Sequence, residues 1–255
     1  MPSDPAQSSP EIVTVDQPNL PPHANETAPP IHRLFLKRNM DLLNKPAIGI
    51  VGSRRASRQG LADAQWFAKD LVAHGLTIVS GLAIGVDGAA HRGALAQSEA
   101  STIAVLAHGL DQIYPSQHRQ LASEIVSRGG LLVSEYPCGT PPRPFQFLHR
   151  NRIIALLSRA ICLIEAAGGS GALTTALAAA ELGRDVFVVP GSIHSELHAG
   201  GHQMTRQGAG LVQSPQELLG DLGLVMPASL PRLSRVNIPI QIGPSIPARA
   251  IGHNN

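Results

Sequence analysis

The sequence predicts an α/β fold, a doubly wound and mostly parallel sheet flanked by helices. From residue 47 onward, short runs rich in Ile and Val alternate with longer Ala- and Leu-rich stretches. That rhythm is expected when parallel strands lie buried beneath crossover helices. The segments after several strand candidates are rich in glycine, as the turns at the carboxyl edge of such a sheet are. The size agrees: 255 residues, 43% apolar and 15% charged, suit one globular domain with appended tails.

Taken in chain order, residues 1–33 hold many Pro, Ser and Asn and show neither a helical nor a strand period, so a disordered leader is expected there. The domain is expected to span 34–221. Its strand candidates are 47–51, 77–80, 102–106, 131–134, 160–165 and 185–189. Between the first two, Leu61, Ala64, Ala68, Leu71 and Val72 recur at helical spacing, and Gly75 supplies a stop beyond His74. Further helices are expected at 88–97, 116–127, 150–158, 171–182 and 215–219. Residues 222–255 contain Pro227, Pro231, Pro239, Pro244 and Pro247, no acidic residue, and Arg232, Arg235 and Arg249. A Pro-rich basic tail is expected, with no winged helix evident.

Composition excludes several classes. No run of apolar residues is long enough to span a bilayer. The amino terminus MPSDPAQSSPEIVTVDQ lacks the basic start and apolar core of a secretory signal. Cys138 and Cys162, the two cysteines, form neither a disulfide framework nor a paired-Cys metal motif. A cytoplasmic protein is expected. The net charge is only +2, so any polyanion site must be sought in the local clustering of arginines.

Ligands of open parallel sheets bind at the carboxyl ends of the strands, where loops diverge and helix N-termini present free amides. Gly52-Ser53-Arg54-Arg55 follows the first strand candidate. Ser80 ends the second, which leads into Gly81-Leu82-Ala83-Ile84-Gly85-Val86-Asp87. Gly168-Gly169-Ser170-Gly171 and Thr174 follow the fifth, and Pro190-Gly191-Ser192 the sixth. For any single loop, glycine equally suits a tight turn or a close approach to phosphate. All four together favour an anion site, with Ser53, Ser80, Ser170 and Thr174 as hydroxyl donors and Arg54 as a charged fork.

Residues 136–152 read YPCGTPPRPFQFLHRNR and gather Arg143, Arg150, Arg152 and His149 around Phe145 and Phe147. Basic groups interleaved with aromatics suit single-stranded nucleic acid, whose phosphates take arginines and whose unpaired bases stack on rings. Burial of both rings beneath a Pro-rich loop is the competing reading. Other candidates carry less. Asp87 and His91, four apart, suggest a proton-transfer couple, or Asp87 as a helix N-cap. His194, His198 and His202 have a metal-compatible spacing, but Gly200 and Gly201 are expected to break that helix. Cys162 reads as a small core residue. No nucleophile, base and orienting group emerge as a set, so no catalytic residues, metal or cofactor are assigned.

The strings AIGIVGSRRAS (47–57), SGLAIGVDGAAHRGAL (80–95), TIAVLAHGLDQIYPSQHRQLASEI (102–125), LLVSEYPCGTPPRPFQFLHRNRIIALLSRA (131–160) and SGALTTALAAAELGRDVFVVPGSI (170–193) resemble the DNA-processing protein A (DprA/Smf) family. The likeness covers about residues 31–219. It implies an extended Rossmann-like fold, a homodimer, single-stranded DNA as partner, and loading of the RecA recombinase during natural transformation without catalytic turnover. It also implies DNA contacts at Gly52, Ser53, Arg54, Phe145, Phe147, Arg150, Asn151 and Arg152. The chain departs from the family pattern at Ile84, where a basic residue is usual, at Leu148, where Pro is common, and around Gly200-Gly201-His202.

Two other functions fit the glycine loops. Related Rossmann-like phosphoribohydrolases carry a Gly-Gly-x-Gly-Thr-x-x-Glu motif after a comparable strand. This chain has Ala172 and Thr175 at the Thr and Glu positions, leaving Glu165 and Glu181 as the nearby carboxylates. A small-nucleotide sensor without chemistry is the other.

Overall fold

The computed structural model describes residues 12–97 and 100–224. Its strands are β1 (Ile12–Asp16), β2 (Arg33–Arg38), β3 (Ala47–Gly52), β4 (Thr77–Ser80), β5 (Thr102–Leu106), β6 (Leu131–Ser134), β7 (Ala160–Ile164), β8 (Asp185–Val188) and β9 (Gly210–Leu211). They form one sheet in the order β1-β2-β6-β5-β4-β3-β7-β8-β9. The pairs from β6 through β9 are parallel, while β1 and β2 add an antiparallel edge. The α/β class and the Rossmann-like, mostly parallel sheet are as the sequence predicts.

Seven helices cover the sheet among the described residues: α1 (Arg58–Ala73), α2 (Val86–Ala94), α3 (Arg119–Ser127), α4 (Pro144–Leu157), α5 (Gly171–Glu181), α6 (Glu196–Arg206) and α7 (Pro215–Asp221). Alternation along each strand splits the core in two. Ile48 and Ile50 pack with Phe67 and Leu71 of α1, Ala90 of α2 and Leu218 of α7. Ala47 and Val51 face the other way, toward Ile154 of α4 and Ala176 of α5. A third cluster places Leu121 and Ile125 of α3 against Leu106 and Leu132.

The strand order places the site. From β3 the chain builds outward through β4, β5 and β6, then returns to lay β7 on the opposite side of β3. The loops leaving β3 and β7 therefore run to opposite faces and open a crevice between them, the topological switch point at which ligands of such sheets bind.

The expectation of a disordered leader is corrected over residues 12–33, and residues 1–11 lie outside the described residues. Strand β1 pairs with β2 in full register, Ile12 opposite Lys37 and Asp16 opposite Arg33. Arg33 also grips both carboxylate oxygens of Asp16 at 2.6 and 2.9 Å. The segment between these strands buries Ala24, Thr27 and Ile31. Prolines flanking two short strands hide their alternation, yet Leu34 and Leu36 are buried where Arg33, Phe35 and Lys37 are not, a period of two. Nearly all of the expected tail lies outside the described residues, although Leu222 is buried against α1 and α7 neighbours.

Two helices also differ from expectation. Helix α4 begins at Pro144 rather than Arg150, because proline is well placed in a first turn and the Gln146 side chain accepts from the Arg143 amide at 2.6 Å. Helix α6 runs unbroken through Gly200-Gly201. There the missing side chain is what packing needs: a Cβ on Gly200 would crowd the Ala166 and Ala167 carbonyl oxygens at 2.7 Å, and the Gly200 amide donates to Ala166 at 2.8 Å.

Candidate nucleic-acid interface

A pocket of about 790 Å³ opens at the crevice between β3 and β7. Its walls are the Gly52-Ser53-Arg54-Arg55 turn, Ala83 and Asp87 at the start of α2, one face of α4, and Ser170, Gly171 and Ala172 at the start of α5. Three arginines (Arg54, Arg55 and Arg150) against the single carboxylate of Asp87 line it, so it is electropositive.

The Gly52 to Arg54 turn is fixed from both sides. Ser53 donates its amide to the Glu165 carbonyl at 2.6 Å, and its own carbonyl accepts from Val86 at 3.2 Å. Gly52 is required by packing as much as by any ligand, since a Cβ there would overlap the Ile164 carbonyl oxygen of β7. Two non-glycine residues with positive φ flank the crevice, Leu82 (φ 56°) after β4 and Glu165 (φ 48°) after β7. The left-handed backbone at Glu165 brings its carboxylate to the N-terminus of α1, where it accepts from the Ser57 amide at 2.7 Å and hydroxyl at 2.5 Å. Such strain persists only where surrounding contacts over-determine it.

Helix phase sorts the basic-aromatic segment. Successive residues turn about 100°. Pro144, Phe147, Leu148, Asn151 and Ile154 therefore share the face that lines the pocket. Phe145, His149 and Arg152 fall on the opposite face: the Phe145 and His149 rings pack edge to face at 5.5 Å, and Arg152 bonds Pro29, His149 and Glu135. Arg143 is exposed ahead of the helix and is not among the lining residues. Over Phe147 lies the Arg54 guanidinium, 5.4 Å from the ring centre, a cation–π contact at the pocket mouth.

Arg150 and Asn151 face inward, but their polar groups are already engaged. Arg150 is buried; it donates to Gly81 at 2.6 Å and Val105 at 2.5 Å, tying α4 to the ends of β4 and β5. Desolvation brings its pKa down to about 10, with the attraction of Asp87 opposing and Arg54 adding to the fall. Asp87, in the first turn of α2 with Gly85 as N-cap, accepts from the Gly81 amide at 3.1 Å. Desolvation raises its pKa against the pull of Arg150 and the loop amides. Asn151 donates to Gly171 at 3.0 Å and Thr174 at 2.7 Å, locking α4 to α5.

The remaining expected anion donors divide. Ser170 lines the pocket, and its buried hydroxyl has no partner. Ser80 bonds Ile50 within the core, and Gly81 packs on the Arg150 guanidinium. Gly85, Gly169 and Thr174 support the loops without lining the cavity. His91 is buried, with Nδ1 on the Thr102 hydroxyl at 2.8 Å and Nε2 unpartnered, so it does not reach the pocket. His198 and His202 stack at 6.3 Å, and no group of three or more His, Cys, Asp or Glu among the described residues is placed to hold a metal. Cys162 is a buried core thiol, pushed up to about 12 by desolvation. Sequence reasoning missed Tyr114, half exposed beside Phe147 with ring centres 5.7 Å apart. An aromatic in a polar, Pro-containing loop was the signal.

A family model described as DNA recombination-mediator protein A matches residues 11–223. Protein Smf of Escherichia coli (strain K12) is 40% identical over 216 residues, 85% of this chain and 58% of that protein. DNA processing protein DprA of Streptococcus pneumoniae is 45% identical over 188 residues, 74% of this chain and 66% of that protein. The chain thus spans about three fifths of the length of these relatives. An X-ray structure of the Streptococcus pneumoniae protein superposes with a TM-score of 0.78 at 40% identity, covering 83% of this chain and 74% of that one. A structure of DNA processing protein A from Helicobacter pylori, described as giving insight into its single-stranded DNA binding mode, superposes at 0.75 with 28% identity, covering 83% and 95%.

Proposed function

The chain belongs to the DNA recombination-mediator protein A family, and from that premise we propose that it binds single-stranded DNA in the pocket between β3 and β7. The observation that carries this is the Arg54 guanidinium poised over Phe147 at the mouth of an electropositive crevice. Arg54 and the N-terminal amides of α5 meet a backbone phosphate, while Phe147 offers a surface to an unpaired base. A duplex hides its base faces, so single strands are preferred. The Helicobacter pylori relative, described by its single-stranded DNA binding mode, supports this reading.

Within the same proposal the protein acts as a homodimer and hands its strand to the RecA recombinase in the cytoplasm during transformation, without turnover. The family description as recombination mediator supports the handover. No helix among the described residues is long and apolar enough to cross a membrane. The absence of turnover is supported by the carboxylates: Asp87 and Glu165, the buried ones among the described residues, are both held by backbone amides.

Fluorescence anisotropy with oligo-dT and a duplex of equal length, at two salt concentrations, tests the assignment. Wild type should prefer the single strand. Arg54→Ala should weaken it about tenfold or more and lower the salt slope by about one. Equal binding by the variant would overturn the proposal.

A further inference from the structure

We propose that the DNA pocket continues past Tyr114 into a second hollow that seats the neighbouring nucleotide, whose base stacks on the Tyr114 ring. This rests on the reading of the first pocket as a DNA site and names the next position along the strand. The second hollow, about 430 Å³, is walled by Ile84, Gln112, Tyr114, Pro115, Arg119 and Pro142. Tyr114 and Pro142 also wall the first pocket, so the two hollows adjoin along these two residues.

The flat groups are successive neighbours. The Arg54 guanidinium lies 5.4 Å from the centre of Phe147, which lies 5.7 Å from Tyr114. Phe147 meets Tyr114 edge to face at 61°, and half of Tyr114 remains exposed for a base. Ile84, also exposed, gives the hollow an apolar wall, and Arg119 supplies a cation at the far rim for the following phosphate. The platform is preorganised. The Tyr114 amide donates to His108 Nε2 at 3.3 Å, and the other ring nitrogen of His108 bonds the Gly109 carbonyl at 3.0 Å, so the loop bearing the ring is tied to the end of β5.

The test measures oligo-dT affinity for wild type, Tyr114→Ala, Tyr114→Leu, Tyr114→Phe, Arg119→Ala and Arg54→Ala in the full chain. Tyr114 is half exposed, so these variants keep the fold, which a circular dichroism melt verifies. Stacking on one ring predicts that Tyr114→Ala and Tyr114→Leu each lose about five- to a hundredfold in affinity, while Tyr114→Phe binds close to wild type. Arg119→Ala should lower the salt slope by about one. Full affinity in Tyr114→Leu would mean that the ring only props Phe147, and would overturn the subsite. So would an unweakened Tyr114→Ala beside a weakened Arg54→Ala, which leaves the first pocket standing alone. If Arg54→Ala also binds normally, the subsite and the DNA reading fall together.

Discussion

Replacing Arg150 by methionine should cost stability first and DNA affinity second. The guanidinium carries hydrogen bonds to the carbonyls of Gly81 and Val105, 69 and 45 residues away in the chain, and lies in the field of the buried Asp87. Methionine fills much of the stem but removes the guanidinium from both carbonyls and takes from Asp87 its strongest opposing charge. An unmade bond to a buried polar group costs about 1 to 3 kcal/mol for each of the two carbonyls, with the lost attraction to Asp87 added. These penalties overlap, so about 3 to 5 kcal/mol is expected in all, a large part of the about 5 to 15 kcal/mol that holds a domain together.

Both groups show that burial dominates: desolvation pushes the Asp87 carboxyl up and the Arg150 guanidinium down, and their mutual attraction only partly offsets it. Removing the second charge should therefore recover stability. Asp87→Asn keeps an oxygen for the Gly81 amide, and adding it to Arg150→Met should return about half of the loss. Urea denaturation at neutral pH is the assay. The single variant should lower the midpoint by about 1 to 3 M with an unchanged slope. A variant within about 1 kcal/mol of wild type that nonetheless loses DNA binding would refute this account and make Arg150 a DNA-gripping residue.

Two further predictions concern His91 and Gly52. His91 is held neutral, its pKa lowered to about 3 first by desolvation and then by electrostatic repulsion from its neighbours, Arg150 and Arg92 among them. The unfolded chain takes up this proton first, so stability is full above about pH 6.5 and falls as pH drops toward 3; His91→Gln should remove about 2 kcal/mol of the loss between about pH 7 and pH 5, read from urea midpoints at the two pH values. Gly52→Ala should lower the melting temperature by about 3 to 10 °C, because its methyl group must displace the Ile164 carbonyl of β7; an unchanged melting temperature with weakened oligo-dT binding would show instead that Gly52 matters for its approach to phosphate.

The periodic parts of the fold were legible because they answer to local rules. Runs at 47–51, 102–106 and 131–134 become strands, and Leu61 to Val72 share one helix. The strands at Ile12–Asp16 and Arg33–Arg38 escaped because their stability comes from pairing with each other and with β6, while their proline-rich surroundings read as loop. The site was legible by composition and not by orientation. Phe145 and Phe147 have the same chemistry in the sequence, and only the start of α4 at Pro144 sends one into the pocket and the other to the far face. Arg150 reads as a free cation because the carbonyls that engage it come from Gly81 and Val105, distant in sequence, and Arg152 likewise reaches Pro29 besides its nearer partners His149 and Glu135.

The same long-range ties bear on the proposal that the crevice takes an extended, flexible ligand. Association with a single strand loses conformational freedom on the DNA side, so any ordering needed on the protein side would weaken binding further. Here the Ser53 turn is pinned to Glu165 and Val86, α4 is pinned to β4 and β5 through Arg150 and to α5 through Asn151, and the left-handed Glu165 is anchored on α1 through Ser57. Arg150 and Asn151 line the cavity with their polar groups tied to its walls, and so hold their neighbours still. In the proposed binding mode Arg54 and Phe147 are a prebuilt surface for the strand, held in shape by the buried Arg150 and Asp87.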